Sequence, residues 1–414
     1  MVSSRLHVNL GSAVALAACA LAFMGCGSDA APVNPLVGGA GSGAGGGSGG
    51  TQSSAGTAGT NSAGQSATGA AGAFGGSAGA VGVSGSGGAL GSAGASGSGG
   101  AGCVTMGTQS DPTATGDGKL YLAPASTNPI VYTPAPETLS HINGAPKGKV
   151  NGVEVGGTYT ALLYAAKTQY PGLNAMLKYQ YWIYVPAQYK AGCAAALMVW
   201  QDGLHYVGID DAKFNAPTVL DNLINSGDMP VTIALFINPG EPGDGTYNGQ
   251  EYGNRSAQYD RNNTNYANFL IDEFLPANVL GNYTIVTDPD GWGIGGHSSG
   301  GIAAFMAGWY RPEKFHKLLT HDASFPNTGD NMGISLQKSI ETSAVKPLRV
   351  YLMSGPNDLE KPRWYDQNTA AATALAAKGY HYQYRTEDSD HYPPQAGASD
   401  FANALRWMWR GYKL

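Results

Sequence analysis

The sequence predicts an α/β fold, with a mostly parallel sheet covered by helices on both faces, preceded by a signal peptide and a disordered Gly-rich tether. Three observations support this prediction. Short continuous apolar runs alternate with helical patterns over most of the 414 residues, which is typical of parallel strands buried on both faces. A Gly-rich stretch without charges precedes them, and a short apolar segment opens the chain.

The N-terminal quarter of the chain divides into two segments. Residues 1–25 have a basic start followed by an apolar stretch at 13–24, which is the layout of a signal peptide. Residues 26–102 predict a disordered linker, because the stretch is mostly Gly, Ala, Ser and Thr and carries no charge after Asp29. A single folded domain is therefore expected over 103–414.

The end of the signal segment indicates where the protein is located and how it is anchored. Gly25-Cys26 resembles the lipobox of bacterial lipoproteins, in which the Cys is diacylated and becomes the mature N-terminus. Cleavage near Ala30, with Cys26 unmodified, is the alternative. We expect an exported protein of the cell envelope, either an outer-membrane lipoprotein that contacts the membrane by its lipid anchor only or a secreted protein.

The cysteines predict a disulfide, and the net charge and the motifs limit the classes of ligand that the protein could bind. Cys103 and Cys193 lie in the expected domain, and two thiols in an oxidising compartment usually pair, so we expect a disulfide. Two separately buried thiols are the alternative. The net charge of −6 excludes a basic nucleic-acid-binding protein. The sequence contains no zinc-binding pattern, and we expect neither a metal nor a cofactor.

The elements of the domain alternate along the chain. Apolar runs predict strands at Tyr179–Val185, Ala194–Trp200, Val231–Ile237, Gly293–Gly296, Lys317–Thr320, Leu348–Met353 and Tyr380–Arg385. Apolar residues at helical spacing predict helices at Pro217–Ile224, Tyr266–Phe274, Ser299–Tyr310, Ala370–Lys378 and Phe401–Trp409. Pro276 should close or bend the second helix, and Ser399 and Asp400 should precede the last one.

One short motif predicts a nucleophile. Gly296-His297-Ser298-Ser299-Gly300 fits the nucleophile elbow Gly-x-Ser-x-Gly. Ser48 and Ser77 match the same pattern inside the linker, but only Ser298 follows an apolar strand and precedes a helix. The overlapping pattern Gly291-x-Gly293-x-x-Gly296 does not indicate a dinucleotide site, because its glycines lie within the strand.

A Ser nucleophile needs a His that accepts its proton and a carboxylate that orients the His. Asp358 and His391 lie in loops after the strands predicted at 348–353 and 380–385, in the chain order Ser, acid, His. His321 is the alternative base, and Glu360 and Asp390 are the alternative acids.

An oxyanion hole needs two backbone N–H groups. The first should come from Ser299, directly after the nucleophile. The second should come from Leu204, because Asp202-Gly203-Leu204 follows a buried strand and Gly203 permits a sharp turn; an ordinary strand-end turn is the alternative. The polar segment 239–265 should form a wall of the active site, with three aromatic residues, Tyr247, Tyr252 and Tyr259.

The chain resembles the enterochelin-esterase-like branch of the esterase D family of α/β-hydrolases over residues 148–412. The matching segments are Tyr181-Trp182-Ile183-Tyr184-Val185-Pro186-Ala187-Gln188-Tyr189, Met198-Val199-Trp200-Gln201-Asp202-Gly203, Asn254-Arg255-Ser256, Tyr259-Asp260, Gly295-Gly296-His297-Ser298-Ser299-Gly300-Gly301 and Gly355-Pro356-Asn357-Asp358-Leu359. This resemblance implies an α/β-hydrolase fold and a Ser298, Asp358 and His391 triad.

The expected protein is therefore a serine esterase that cleaves a carboxylic ester through an acyl-enzyme without a cofactor. Its substrate would be a small-molecule or polymer-borne ester, such as acetyl or feruloyl esters of plant polysaccharides or siderophore esters. Acyl transfer to a sugar acceptor and a non-catalytic surface binding protein are the alternatives.

Overall fold

The structure is a computed structural model that describes residues 102–103, 116–208, 214–247, 254–327, 334–391 and 396–414. The predicted signal peptide, the predicted lipidation site at Cys26 and the predicted linker apart from Gly102 lie outside these residues. Within the described ranges, no helix is long and apolar enough to cross a membrane. Cys103 and Cys193, the pair predicted from the sequence, are joined by a disulfide bond.

The described strands form one large sheet and one small hairpin. Their bounds are β1 Gly118–Tyr121, β2 Ser126–Thr127, β3 Ile130–Val131, β4 Lys149–Val150, β5 Val153–Glu154, β6 Leu162–Ala165, β7 Lys178–Val185, β8 Ala196–Gln201, β9 Thr232–Ile237, β10 Trp292–His297, β11 Lys317–His321, β12 Arg349–Ser354 and β13 His381–Thr386. The large sheet has the order β1-β13-β12-β11-β10-β8-β9-β7-β4-β5, with β6 also paired to β7, and β2 and β3 form the hairpin.

Most of the large sheet is parallel, as the sequence predicts. The strands from β1 to β9 in the sheet order run parallel to one another. Strand β7 is antiparallel to β9, and β4 and β6 are antiparallel to β7. Every residue of β8, β9 and β11 is buried, so both faces of the sheet are covered here, which explains why these strands read as continuous apolar runs.

The helices connect the strands. Their bounds are α1 Pro136–Leu139, α2 Gly203–Val207, α3 Ala216–Ser226, α4 Asn254–Tyr259, α5 Asn265–Asn268, α6 Ser299–Tyr310, α7 Leu336–Thr342, α8 Arg363–Ala377 and α9 Ala396–Trp409, with π-helical segments at Phe269–Phe274 and Pro276–Leu280 and a 3₁₀ turn at Pro289–Gly291. Helix α6 has the predicted bounds.

Pro276, which the sequence predicts to close or bend the helix, does not close it. The helical backbone continues through Leu275, with φ −60° and ψ −45°, into the second π-helical segment. Pro276 therefore lies inside a continuous helical stretch, where its missing N–H leaves a carbonyl of the preceding turn without its helical partner.

The last two helices begin earlier than predicted. Helix α8 starts at Arg363 rather than Ala370, and α9 starts at Ala396, so Ser399 and Asp400 lie inside α9 instead of preceding it. Asp400 is tolerated there because its carboxylate accepts hydrogen bonds from the Tyr351 hydroxyl and the Arg385 guanidinium, each at 2.9 Å.

The topology places the candidate site at one edge of the sheet. Strands β8, β10, β11, β12 and β13 are parallel, so their carboxyl ends lie at the same edge. The segments that follow these ends carry Asp202, Ser298, Asp322, Asp358 and His391. Residues far apart in the chain are therefore brought together there.

Candidate active site

Ser298 occupies a sharp turn between β10 and α6. Its backbone has φ 56° and ψ −125°, which a non-Gly residue adopts only at a strained position. The flanking glycines are required by space: a Cβ on Gly296 would lie 2.3 Å from the carbonyl oxygen of Gly300, and one on Gly300 would lie 2.5 Å from Oδ2 of Asp202. The motif Gly-x-Ser-x-Gly therefore forms the nucleophile elbow at the place that the sequence predicts.

His391 lies between the elbow and a buried carboxylate. Its Nε2 is 2.9 Å from Oγ of Ser298, and its Nδ1 is 2.5 Å from Oδ1 of Asp358. Since a carboxylate oxygen only accepts, Nδ1 carries the proton and Nε2 accepts the Ser298 hydroxyl. The imidazole is 13% exposed and the carboxylate 1%, so the site is open on the nucleophile side and closed behind.

Both partners of the imidazole are held by further contacts. Asp358 Oδ1 accepts the N–H of Leu359 at 2.7 Å, and Oδ2 accepts the hydroxyl of Ser354 at 3.0 Å. Nε2 of His297 donates to the backbone carbonyl of His391 at 3.0 Å. Desolvation, with the neighbouring His391, lowers the pKa of His297 well below its ordinary value, so His297 is a neutral donor that fixes the loop carrying His391.

Among the described contacts, the side chains of the alternative base His321 and the alternative acid Glu360 form no hydrogen bond with Ser298 or His391, whereas the other alternative acid, Asp390, directly precedes His391. His321 is completely buried, with Nδ1 3.0 Å from the Tyr206 hydroxyl and its ring stacked on Phe214. Burial lowers its pKa to about 3, so it stays neutral among aromatic rings. Glu360 pairs with Arg363 at the surface. The structure thus places His391, rather than His321, against the Ser298 side chain, and Asp358, rather than Glu360, against His391.

The two expected oxyanion donors differ in whether their N–H groups already have an acceptor. Ser299 begins α6, so its N–H is one of the first in the helix and has no intrahelical acceptor. The Leu204 N–H already donates to Oδ1 of Asn238, at 3.0 Å. Asn238 directly follows β9, the neighbour of the strand before Leu204. Leu204 could therefore serve an oxyanion only by exchanging or sharing its bond with Asn238.

Part of the segment 239–265, which the sequence predicts as a wall of the active site, is buried. It contains helix α4, and Tyr247 and Tyr259 are 8% and 0% exposed, so these two rings belong to the interior. Tyr252 lies outside the described residues. The ring of Tyr259 packs edge-on against Tyr266 at 4.9 Å between centroids, which explains its burial.

The same segment contributes a buried ion pair to the loop after β8. Nε and Nη2 of Arg255 lie 2.9 Å and 2.7 Å from Oδ1 and Oδ2 of Asp202. Burial lowers the pKa of the Arg255 guanidinium, but the Asp202 carboxylate more than offsets this effect, and the net pKa is raised above its ordinary value. Asp202 adopts left-handed backbone, φ 51° and ψ 53°, at the start of the turn that carries Leu204.

Several residues at the site were not identified from the sequence. Ser324 Oγ lies 3.0 Å from Ser298 Oγ, and the ring of Trp364 packs edge-on against His391 at 5.8 Å. Asp322 and Glu387 are buried next to Asp358. The sequence could have indicated three of them, because Asp322, Ser324 and Glu387 follow the carboxyl ends of predicted strands, as the expected catalytic residues do. Trp364 gave no such signal, since it lies on a helix whose start was not predicted.

The mostly parallel sheet with its nucleophile elbow defines an α/β-hydrolase. The Esterase family model matches residues 176–408, more than half of the chain, and the chain belongs to this family. The family-level resemblance inferred from the sequence motifs is thereby confirmed.

Similar solved structures include the enterobactin esterase from Shigella flexneri, with 19% identity and a TM-score of 0.46; the match covers 61% of this chain and 59% of that chain. A ferulic acid esterase from the anaerobic fungus Anaeromyces mucronatus has 14% identity and a TM-score of 0.49, over 66% of this chain and 94% of that chain. The match thus spans less than two thirds of the length of the Shigella enzyme. No curated protein sequence matches the chain.

Proposed function

We propose that the protein is a serine hydrolase of carboxylic esters, with Ser298 as nucleophile, His391 as general base and acid, and Asp358 as the orienting carboxylate. The observation that carries this proposal is the continuous hydrogen-bonded series from Ser298 Oγ to His391 Nε2 and from His391 Nδ1 to Asp358, at 2.9 Å and 2.5 Å. Membership of the Esterase family supports it.

The geometry supports acyl transfer in two steps. Ser298 Oγ attacks the ester carbonyl carbon while Nε2 of His391 takes the hydroxyl proton. The tetrahedral intermediate collapses, the bond to the alkoxy oxygen breaks, and the imidazolium returns the proton to the departing alcohol. Water then attacks the acyl-enzyme by the same proton route, which releases the acid and regenerates Ser298. Asp358 keeps the proton of His391 on Nδ1, so that Nε2 faces the nucleophile.

Negative charge develops on the carbonyl oxygen in both steps. The Ser299 N–H at the start of α6 is suited to stabilise this charge, because it is unpaired within its helix and lies at the positive end of the helix dipole. Leu204 would be the second donor once substrate displaces or shares the Asn238 contact. We infer that the Ser324 hydroxyl donates to Ser298 Oγ, since the Ser298 proton points to His391.

The substrate is proposed at the level of its chemical class. The export predicted from the sequence would place the site outside the cytoplasm, where acetyl or feruloyl esters of plant polysaccharides and siderophore esters are available. A panel of feruloyl, acetyl and catecholate esters would identify the acid half. Adding a sugar acceptor to the same assays would detect acyl transfer, because ester product would then form in place of free acid.

The mechanism is tested by labelling with a fluorophosphonate, which reacts readily only with an activated Ser. We expect a single adduct, on Ser298, and a loss in kcat of about 10³-fold or more for both Ser298→Ala and His391→Ala. Ser324→Ala is the matched control, because its hydroxyl is 3.0 Å from Ser298 Oγ and not bonded to His391; the adduct should remain. An adduct on any other Ser, or near-normal turnover by His391→Ala, would reject the assignment.

A further inference from the structure

Three carboxyl groups are buried together behind the imidazole of His391. Asp322, Asp358 and Glu387 are 1%, 2% and 1% exposed. Asp322 directly follows β11, and its N–H donates at 2.8 Å to the carbonyl of Met353, near the end of the neighbouring β12. The backbone thus fixes Asp322 beside the strand that leads to Asp358.

The hydrogen bonds of Asp358 show which carboxyl carries a proton. Asp322 directly follows β11 and Asp358 follows the neighbouring β12, so the two buried carboxyls lie side by side and interact with each other. Two ionised carboxylates cannot share a hydrogen bond because both only accept, so a bond between them needs a proton on one of the two. Asp358 accepts from Nδ1 of His391, from the N–H of Leu359 and from the hydroxyl of Ser354. A carboxylate with three donors is the ionised partner, so the shared proton belongs to Asp322.

The surroundings of Asp322 favour the same assignment. One oxygen, Oδ1, has no hydrogen-bond partner in the described structure, which an ionised carboxylate would tolerate poorly at this depth. The titratable groups that interact with Asp322 are carboxyls and phenols, namely Asp358, Glu387, Asp390, Tyr206, Tyr351 and Tyr384. Burial, with the charges of Asp358 and Glu387, raises the pKa of Asp322 well above its ordinary range.

We propose that Asp322 is a positioning residue that stays protonated and donates its proton to the carboxylate of Asp358, which holds Asp358 in the orientation that His391 requires. The proposal rests on the proposed function, because it assigns Asp322 a role only through Asp358. Both oxygens of Asp358 already accept hydrogen bonds, and the bond from Asp322 adds a further one that would have to break before the carboxylate could rotate away from Nδ1. Ionised Asp322 would instead repel Asp358 and lose the bond.

The proposal is tested with Asp322→Asn and Asp322→Ala. Asn keeps an N–H donor, cannot ionise and tolerates the left-handed backbone at this position, φ 44°. We expect Asp322→Asn to keep kcat within about 3-fold of wild type, and Asp322→Ala to lower kcat about 10- to 100-fold with little change in KM, as removal of a bond to a charged group should. Infrared spectra above neutral pH should show one protonated-carboxyl band in the wild type that Asp322→Asn lacks.

Three outcomes would overturn the proposal: no carboxyl band lost in Asp322→Asn, wild-type kcat in Asp322→Ala, or a loss in Asp322→Asn as large as that of Asp358→Asn. The infrared result with Asp322→Asn needs only a folded variant, so it decides the protonation state even where Asp322→Ala fails to fold. Asp358→Asn tests the proposed function separately. A loss of about 10²–10⁴-fold is expected for it, and near-normal turnover would reject Asp358 as the acid whatever the state of Asp322.

Discussion

The ion pair between Arg255 and Asp202 should contribute strongly to stability. The two side chains are 6% and 0% exposed, and two nearly parallel hydrogen bonds of 2.9 Å and 2.7 Å join them. Arg255→Met would leave the Asp202 carboxylate buried without its partner. Such uncompensated charges cost about 3–5 kcal/mol of the free energy of unfolding. Because Asp202 begins the turn that carries Leu204, we also expect kcat to fall.

Urea unfolding of the wild type and Arg255→Met measures this cost. Arg311→Met is the matched control, because the Arg311 guanidinium also contacts carboxylates, those of Asp272 and Glu313, but these are 57% and 56% exposed. Exposed pairs contribute about 0–1 kcal/mol, so the control should lose little. Adding Asp202→Asn to Arg255→Met should recover part of the loss by removing the stranded charge. Equal losses in the two single variants would refute the reasoning.

Three further predictions concern pH, the disulfide and the anchor. Burial raises the pKa of Glu387 from 4.5 to about 7, so the folded state binds this proton more tightly than the unfolded state, and Glu387 should contribute a fall in stability of about 3 kcal/mol as pH rises from about 4.5 to 7. Denaturant unfolding at several pH values should show a fall in Glu387→Gln that is smaller than the wild-type fall by about this amount, because buried Asp322 still contributes its own; equal falls in the two proteins would contradict the raised pKa of Glu387. Replacing both Cys103 and Cys193 by Ser opens a bridge between residues 90 apart and should lower the free energy of unfolding by at most about 4–5 kcal/mol on the chain-entropy model, whereas unchanged urea midpoints would contradict a stabilising bridge. Cys26→Ser should move the protein from the membrane to the soluble or secreted fraction; fractionation like the wild type, with no lipid on the mature N-terminus, would reject lipidation.

The order of strands and helices was predictable because it depends on burial along each element. Strands such as β8 and β9 are covered on both faces, so their sequences are continuous apolar runs. The elbow was equally predictable, since its glycines are required by local clashes and its position between β10 and α6 selects Ser298 from the other matching serines. Element starts were less predictable, as Ser399 and Asp400 inside α9 show.

The sequence by itself therefore determined the fold class, the position of the nucleophile elbow and the loops that carry Asp358 and His391, because periodicity and steric requirements are properties of neighbouring residues. Only the tertiary structure decided which His faces Ser298, that Asn238 binds the N–H of Leu204, and that Asp322 contacts Asp358. These features depend on distances between side chains from different strands, and protonation depends on the burial and charge that those neighbours create. No pattern along a single element records them.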